Sequence, residues 1–254
     1  MAVTTKPAAA PSAALRAAGT LAAATFGLAS RARGKKSLHP EGVVHEATLT
    51  VTGAAAAPAG VPLLSDPREH AAIVRFSRGA GLPAALPDVL GLALRLPDVH
   101  GPGGHQDLLL ATSGNGPLVH HLLLPAPGFL SLPYSSILPY RGGDGSLFLV
   151  GAMPRGRARR RSGGDEYDAL ARAAASGEPA FDIGVAPIGG RLRPVASLTL
   201  GPRLEPEANA LRFNPWNTGG GLEPAGFFNW LRDFAYPGSQ AGWQGADPRE
   251  LSAR

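Results

Sequence analysis

The 254-residue sequence contains no cysteine. Disulfide bonds, thiolate nucleophiles, iron–sulfur clusters and zinc sites built on cysteine are therefore excluded. Charged residues are also scarce, at 17% of the chain, whereas hydrophobic residues make up 44%. No stretch reaches the roughly 18 consecutive apolar residues of a membrane-spanning helix, so we expect no integral membrane segment. This composition is typical of a globular protein, and the length suffices for one large core.

The net charge of +5 is concentrated in a short segment. Five arginines supply most of the excess: Arg155, Arg157, Arg159, Arg160 and Arg161. A run of like charges is usually a solvated loop. The alternative is a patch that binds nucleic acid or an anionic membrane, but no aromatic residues are interleaved with the arginines to stack on bases. We therefore predict no nucleic-acid partner.

The N-terminal part of the chain differs from the rest in composition. Residues 1–13 are rich in Ala and Pro and are expected to be disordered. Residues 14–32 are predicted to form an amphipathic helix, because their apolar residues recur at spacings of three and four: Ala17, Leu21, Ala24 and Leu28. A signal-peptide core at 17–30 is the alternative. We favour the helix, and so predict a cytoplasmic protein with a leader (1–33) before one domain (34–254).

The remaining sequence is dominated by short predicted strands. Gly (34 residues) and Pro (25 residues) punctuate the chain, which indicates many turns. Runs of hydrophobic and β-branched residues predict strands at 43–51, 71–76, 90–96, 108–112, 119–124, 147–152, 182–185 and 195–200. Helical patterns occur at 167–175 and 224–235. This arrangement predicts an α+β protein with an antiparallel barrel or sandwich and flanking helices.

A tyrosine near the C-terminal end of the sequence has the features of an iron ligand. Arg232 and Tyr236 are four residues apart, so they share one face of the predicted helix. A nearby arginine stabilises tyrosinate, which is a hard anionic ligand suited to ferric haem. None of the other three tyrosines has an arginine at this spacing. The alternative is a core tyrosine at the helix end before Pro237.

Six further motifs precede this pair in a fixed order. They are His39-x-x-Gly42, Arg75-Phe76-Ser77, Asp88-x-x-Gly91, Asp107-Leu108, Asn115-x-Pro117 and Phe213-x-Pro215-x-Asn217. Taken together with Arg232-x-x-x-Tyr236, they resemble the catalase family over roughly residues 34–240. The resemblance implies an antiparallel β-barrel of the catalase type with flanking helices. It also implies haem b as the cofactor, with its iron bound by Tyr236.

The resemblance assigns catalytic roles to three residues. His39 corresponds to the distal acid–base, which would move a proton between the two peroxide oxygens. Ser77 would accept a hydrogen bond from the second ring nitrogen of that histidine and fix its tautomer. Asn115 would hold the peroxide through its amide. The alternatives are a loop histidine, a strand serine inside the barrel and a turn asparagine, respectively.

Cofactor binding is assigned by the same resemblance, with two departures. Arg75 would pair with a haem propionate, and Arg232 would hold Tyr236 anionic. Lys36 stands where the family usually has a second propionate arginine, and Trp243 stands where it usually has a third. We therefore expect the haem carboxylates to be held less tightly than in the family.

The resulting functional prediction is a haem-dependent peroxidase that reduces hydrogen peroxide or organic hydroperoxides through a ferryl intermediate. A small molecule would be the electron donor, and the sequence leaves monomer and homo-oligomer open. Only residues 237–254 follow Tyr236, so we expect an accessible haem that favours bulky donors over peroxide dismutation. The alternatives are a catalase-like lipid-hydroperoxide isomerase or lyase, and a non-catalytic haem-binding protein.

The remaining histidines are interpreted as surface or core residues: His45, His70, His100, His105, His120 and His121. His120 and His121 are adjacent in a predicted strand. Their side chains should therefore point to opposite faces, where they could not easily share a metal ion.

Replacing Tyr236 tests the haem assignment directly. Tyr236→Phe removes the phenolic oxygen proposed to bind iron, so the ferric tyrosinate absorption should disappear and haem retention should weaken. Visible spectra of the purified variant and the parent protein make the comparison. An unchanged spectrum in the variant would rule out Tyr236 as the ligand.

Overall fold

The computed structural model describes residues 42–79, 82, 86–155 and 166–225. The predicted leader helix and most of the predicted helix at 224–235 lie outside these residues, and the proposed domain boundaries stay a prediction. No helix within the described ranges has the length and apolar character needed to cross a membrane.

Ten strands and two α-helices occur in the described part of the chain. The strands are β1 (Gly42–Val51), β2 (Arg68–Arg78), β3 (Leu90–Leu96), β4 (Gln106–Thr112), β5 (Tyr134–Ser135), β6 (Tyr140–Arg141), β7 (Leu147–Pro154), β8 (Pro179–Pro187), β9 (Arg193–Arg203) and β10 (Glu223–Pro224). The helices are α1 (Pro62–Ser65) and α2 (Glu166–Ser176), with 3₁₀ turns at Val119–His121 and Pro206–Ala210.

Eight of these strands close into a barrel. The order around the ring is β7, β5, β4, β3, β2, β1, β9 and β8, and β8 then pairs with β7 again. Each of these neighbouring strands is antiparallel to the next. β6 and β10 extend from β7 as a short ribbon outside the ring. The structure thus confirms an antiparallel barrel with flanking helices, and the alternative of a sandwich is not observed.

Side chains that alternate along each strand separate the barrel interior from its outer face. On β2, Ala72, Val74 and Phe76 are buried in the core. Successive side chains of a strand point to opposite faces. Arg75 and Ser77 therefore lie on the outer face of the barrel, and the alternative of an interior serine does not hold.

Large apolar side chains pack together in the described interior. Phe76 stacks on Phe181 with ring centroids 5.7 Å apart and contacts Phe129 at 5.5 Å. Tyr134 packs edge-on against Phe181 at 6.0 Å, and its hydroxyl donates a hydrogen bond to the carbonyl of Phe129 at 2.8 Å. Leu92 is 1% exposed. The inside of the barrel is therefore a packed apolar core.

A buried ion cluster lies at the end of β2. Arg78 is 2% exposed, and its guanidinium bonds Glu166 of α2 at 2.5 Å and the carbonyl of Leu86 at 2.7 Å. Asp88 lies 3.8 Å from the same guanidinium. Pairing and hydrogen bonding offset the cost of burying these charges. The cluster joins α2 and the segment before β3 to the barrel.

Two sequence predictions are corrected by the structure. The predicted strand at 119–124 is instead a 3₁₀ turn over Val119–His121, because Leu118 has a φ of +68° and the chain reverses there. The predicted helix at 224–235 does not begin at Pro224, since that residue belongs to β10 and pairs with Tyr140. The rest of that helix lies outside the described residues.

The aromatic core should dominate the stability of the barrel. Phe76 is fully buried, so Phe76→Ala is expected to lower the free energy of unfolding by about 3–5 kcal/mol through lost burial and the cavity left behind. Leu109→Ala is the matched control, because Leu109 is 37% exposed. Urea unfolding of both variants measures the difference. Equal losses would contradict the packing described here.

Candidate functional site

Arg75 and Ser77 are brought side by side on the outer face of the barrel. They are two residues apart on β2 and therefore share a face. Ser77 is paired with Gly42 on β1 and Gly91 on β3, and it is only 4% exposed. Two of the residues predicted from the sequence thus occupy one buried region beside glycines of the neighbouring strands.

This region is part of a row of small residues that crosses the outer face. The row follows the strand pairing from β1 to β7 and contains Gly42, Ser77, Gly91, Ala111, Ser135 and Gly151. None of these residues has a side chain that projects far from the sheet. We call the row the small-residue surface. It forms a strip on the outer face in which no side chain is larger than that of serine.

Larger side chains bound the small-residue surface at its two ends. A Cβ atom on Gly42 would lie 2.9 Å from Nη2 of Arg75, so the guanidinium folds over that glycine. At the other end, a Cβ atom on Gly151 would lie 2.6 Å from Cδ1 of Leu192. The strip between them runs from Ser77 to Ser135 over four strands, or about 14 Å at about 4.8 Å per strand. One end is cationic and the other is apolar.

The guanidinium at the cationic end is partly desolvated. Desolvation lowers the pKa of Arg75 from its ordinary value, and the nearby Tyr167 of α2 acts in the opposite direction. A partly desolvated guanidinium is a strong donor to carboxylates, because its planar fork can bind both oxygens. Tyr167 was not predicted from the sequence, since only the packing of α2 brings it near Arg75.

The residues present fit a flat anionic group such as haem on this outer face. The described interior is packed with apolar side chains, whereas the row of small residues lies on the outer face beside Arg75. Arg75 is suited to a carboxylate at its edge, and the Ser77 hydroxyl lies beside it on the same strand. The described residues that would hold haem are therefore on the outside of β2 to β5.

Asn115 lies at the apolar end of the small-residue surface, beside Leu192. Its Oδ1 accepts a hydrogen bond from the backbone nitrogen of Leu192 at 2.8 Å, and its Nδ2 contacts Sδ of Met153 at 3.4 Å. Met153 is on β7, four strands along the ring from β2. The amide thus links the turn after β4 to the β8–β9 hairpin, as a turn asparagine would. Its predicted role in holding peroxide stays a prediction.

His45 points into the barrel. It is 2% exposed, its ring packs edge-on against Phe76 at 6.3 Å, and its Nδ1 lies 3.1 Å from the carbonyl oxygen of Gly201. This is the opposite face from Ser77. His45 is therefore a core histidine, as the sequence interpretation expected.

The other predicted site residues lie outside the described part of the chain. These residues are Lys36, His39, Arg232 and Tyr236, together with Trp243, and their roles stay predictions. Among the described residues, no three His, Asp or Glu side chains come together as a metal centre.

Two motifs that are distant in sequence meet at a buried carboxylate. Asp107 is fully buried and accepts two hydrogen bonds from Arg95, each at 2.7 Å. It also accepts hydrogen bonds from the backbone of Asn214 at 2.8 Å and from the side chain of Asn217 at 2.9 Å. The ring of Phe213 lies 5.1 Å from the Arg95 guanidinium carbon. Asp107 is therefore a structural anchor that ties residues 213–217 to β3 and β4.

His120 and His121 are core residues, as one of the two interpretations expected, but the strand predicted for them is wrong. They lie on a 3₁₀ turn rather than a strand, both are buried, and their ring centroids are only 4.5 Å apart. The adjacent pair can be seen in the sequence. Its predicted side-chain directions were wrong because they assumed the two-residue period of a strand.

Comparison with solved structures identifies the architecture. Catalase A from Saccharomyces cerevisiae superposes with a TM-score of 0.61 at 14% identity, covering 82% of this chain and 62% of the yeast chain. The chain has a catalase-like fold. The match spans less than two thirds of the yeast enzyme and, at this identity, it establishes the fold alone. Neither a protein-family model nor a curated protein matches the sequence.

The core histidine predicts how stability depends on pH. Burial lowers the pKa of His45 below its ordinary value of 6.5, and the charge of Arg203 acts in the same direction, while the bond to Gly201 opposes them. The unfolded chain therefore binds the proton more readily. The stabilisation is complete above about pH 6.5 and is lost as the pH falls from there toward the lower folded pKa.

His45→Gln removes this titration. The free energy of unfolding of the parent should fall more steeply between about pH 6.5 and 5 than that of the variant, by up to about 1.4 kcal/mol per pH unit. Urea titrations at several pH values measure both slopes. Since His70 also has a lowered pKa, the difference between the two proteins is the quantity to compare. Parallel curves would contradict the assignment.

Proposed function

We propose that this chain is a haem-dependent peroxidase that reduces hydrogen peroxide or organic hydroperoxides with a small-molecule electron donor. One observation carries the proposal. Arg75 and Ser77 lie side by side on a flat, small-residue surface outside a packed, catalase-like barrel. These are the described residues to which the sequence resemblance assigns a propionate contact and the orientation of the distal histidine.

The described residues have separate tasks under this proposal. Haem b would supply the redox chemistry, since its iron can exchange electrons with a bound peroxide. Arg75 would bind a carboxylate of the ring and set its position on the surface. Ser77 would accept a hydrogen bond from a histidine ring and keep the opposite ring nitrogen available for the proton of the peroxide. The small-residue surface would bring the ring close to the strands and exclude water from that side.

The remaining tasks fall to residues assigned by the resemblance. His39 would carry the proton from one peroxide oxygen to the other. Tyr236 would bind the iron as tyrosinate, with Arg232 favouring its anionic form. Lys36 would give a second, weaker contact to the ring carboxylates, because an ammonium lacks the planar fork of arginine.

Absorption spectra and turnover of the full chain test the proposal in two stages. The purified protein, incubated with haem b, should show a ferric Soret band and then oxidise an aromatic donor when hydrogen peroxide is added. Absence of haem binding would overturn the proposal. A stable haem complex without turnover would indicate a non-catalytic haem protein. Rearrangement of a lipid hydroperoxide without donor oxidation would indicate an isomerase or lyase instead.

Two variants on β2 should separate cofactor binding from proton handling. Arg75→Leu is expected to weaken haem binding by about tenfold or more, because a charge-assisted bond to a carboxylate is lost. Ser77→Ala should retain haem but slow the reaction with peroxide by about 10- to 100-fold, because the histidine would lose its orienting partner.

Arg193→Leu is the matched control, since Arg193 is exposed at the start of β9. Haem titration and stopped-flow spectra measure the two effects. If Arg75→Leu and Arg193→Leu bind haem equally well, the outer face of β2 is not the cofactor site.

A further inference from the structure

The only methionine in the described part of the chain is Met153, on β7. The preceding Ala152 belongs to the barrel core, so Met153 lies on the outer face. There it packs against a small apolar cluster formed by Leu149, Ala186 and Leu192. The side chain is half-buried, so part of it is open to small solutes. Peroxides oxidise thiols and thioethers, and the sequence has no cysteine to compete for them.

The amide of Asn115 is fixed against the sulfur of Met153. The backbone N–H of Leu192 donates a hydrogen bond to Oδ1 of Asn115 at 2.8 Å. A backbone N–H can only donate, so this bond identifies the amide oxygen and turns the NH₂ group the other way. Nδ2 consequently lies 3.4 Å from Sδ of Met153. The orientation of the amide is therefore set by the backbone of the β8–β9 hairpin and not by the sulfur.

This contact is weak for the thioether but would be strong for its oxidised form. A thioether sulfur is a poor acceptor, so the amide of Asn115 gains little from it. A sulfoxide carries a polar oxygen, which accepts a hydrogen bond from an amide far better. Donors that are fixed where negative charge develops also lower the barrier of the reaction that produces the charge. The amide is thus oriented in advance toward the position where a sulfoxide oxygen would form.

We propose that Met153 is a site of oxidation by hydroperoxides, and that the Asn115 amide promotes the reaction and stabilises the sulfoxide. A lone pair of Sδ attacks one peroxide oxygen, so that an S–O bond forms and the O–O bond breaks. The sulfur loses two electrons and the peroxide gains them. The proton of the attacked oxygen passes to the other oxygen, which leaves as water or an alcohol. The flexible methionine side chain can withdraw enough to admit the new oxygen.

The modification would act at a joint of the fold. Asn115 connects the turn after β4 to the β8–β9 hairpin, and a sulfoxide on Met153 would add a strong bond from the same amide to β7. The amide would then be occupied and unable to bind another ligand. The reaction needs no cofactor, so the proposal does not rest on the proposed haem function.

Peptide mass spectrometry of the full chain, prepared without haem and treated with hydrogen peroxide, tests the proposal. Free methionine in the same solution is the reference. Met153 should gain one oxygen atom no more slowly than free methionine, although it is half-buried. Asn115→Asp keeps an oxygen for the Leu192 N–H but replaces the donor that faces the sulfur, and it should slow oxidation at least about tenfold. Asn209→Asp is the control, because it adds the same charge in the 3₁₀ turn Pro206–Ala210.

A second measurement does not depend on the variants folding. In NMR spectra of the parent protein, oxidation should shift the side-chain NH₂ signal of Asn115 in the direction of a stronger hydrogen bond. An unchanged Asn115 signal after oxidation would overturn the proposal. Slower oxidation of Met153 than of free methionine would overturn it as well, and so would equal oxidation rates in Asn115→Asp and Asn209→Asp.

Discussion

The closure of the sheet between β7 and β8 is the constraint on which the rest of the structure depends. Once the ring is closed, every strand has one face toward a common interior and one face toward the outside. Alternation along the strands then assigns each residue to one of two environments. The interior receives the phenylalanines and leucines and is filled by them. Chemistry that needs space or charge is consequently confined to the outer face and to the turns.

On the outer face, the closed ring lines up small residues from neighbouring strands. Where Ser77, Gly91, Ala111 and Ser135 follow one another across the strands, no side chain larger than that of serine projects from the outer face. Arg75 reaches over Gly42 because the glycine leaves that space empty. The cationic end of the strip therefore depends on the absence of a side chain on the neighbouring strand. A catalase-like fold thus carries a charged group and a row of small residues on the outside of its packed core.

The fold could be predicted from the sequence where the strands were long and alternating. The segment 90–96 matches β3 at both ends, and 147–152 lies inside β7. Strands of two residues, such as β5, carry no periodic signal, and the left-handed residue Leu118 broke a pattern that hydrophobicity alone continued. Arg75 and Ser77 could be paired from their spacing. The row of small residues could not be predicted, because it exists only across strands whose register is set by the closed ring.

The pairing of β1 with both β2 and β9 also determines how the protein can fold. Residues near 45 must find residues near 203 before the ring exists, and a loop of that length is closed at an entropic cost that only later contacts repay. Most of the barrel must therefore be organised before the pairing of β1 with β9 is stable. Barrels with such distant pairings fold slowly, in about milliseconds to seconds. During that interval the unpaired edges of β1 and β9 can pair with other chains. Folding in the cell therefore competes with aggregation until β1 and β9 have paired.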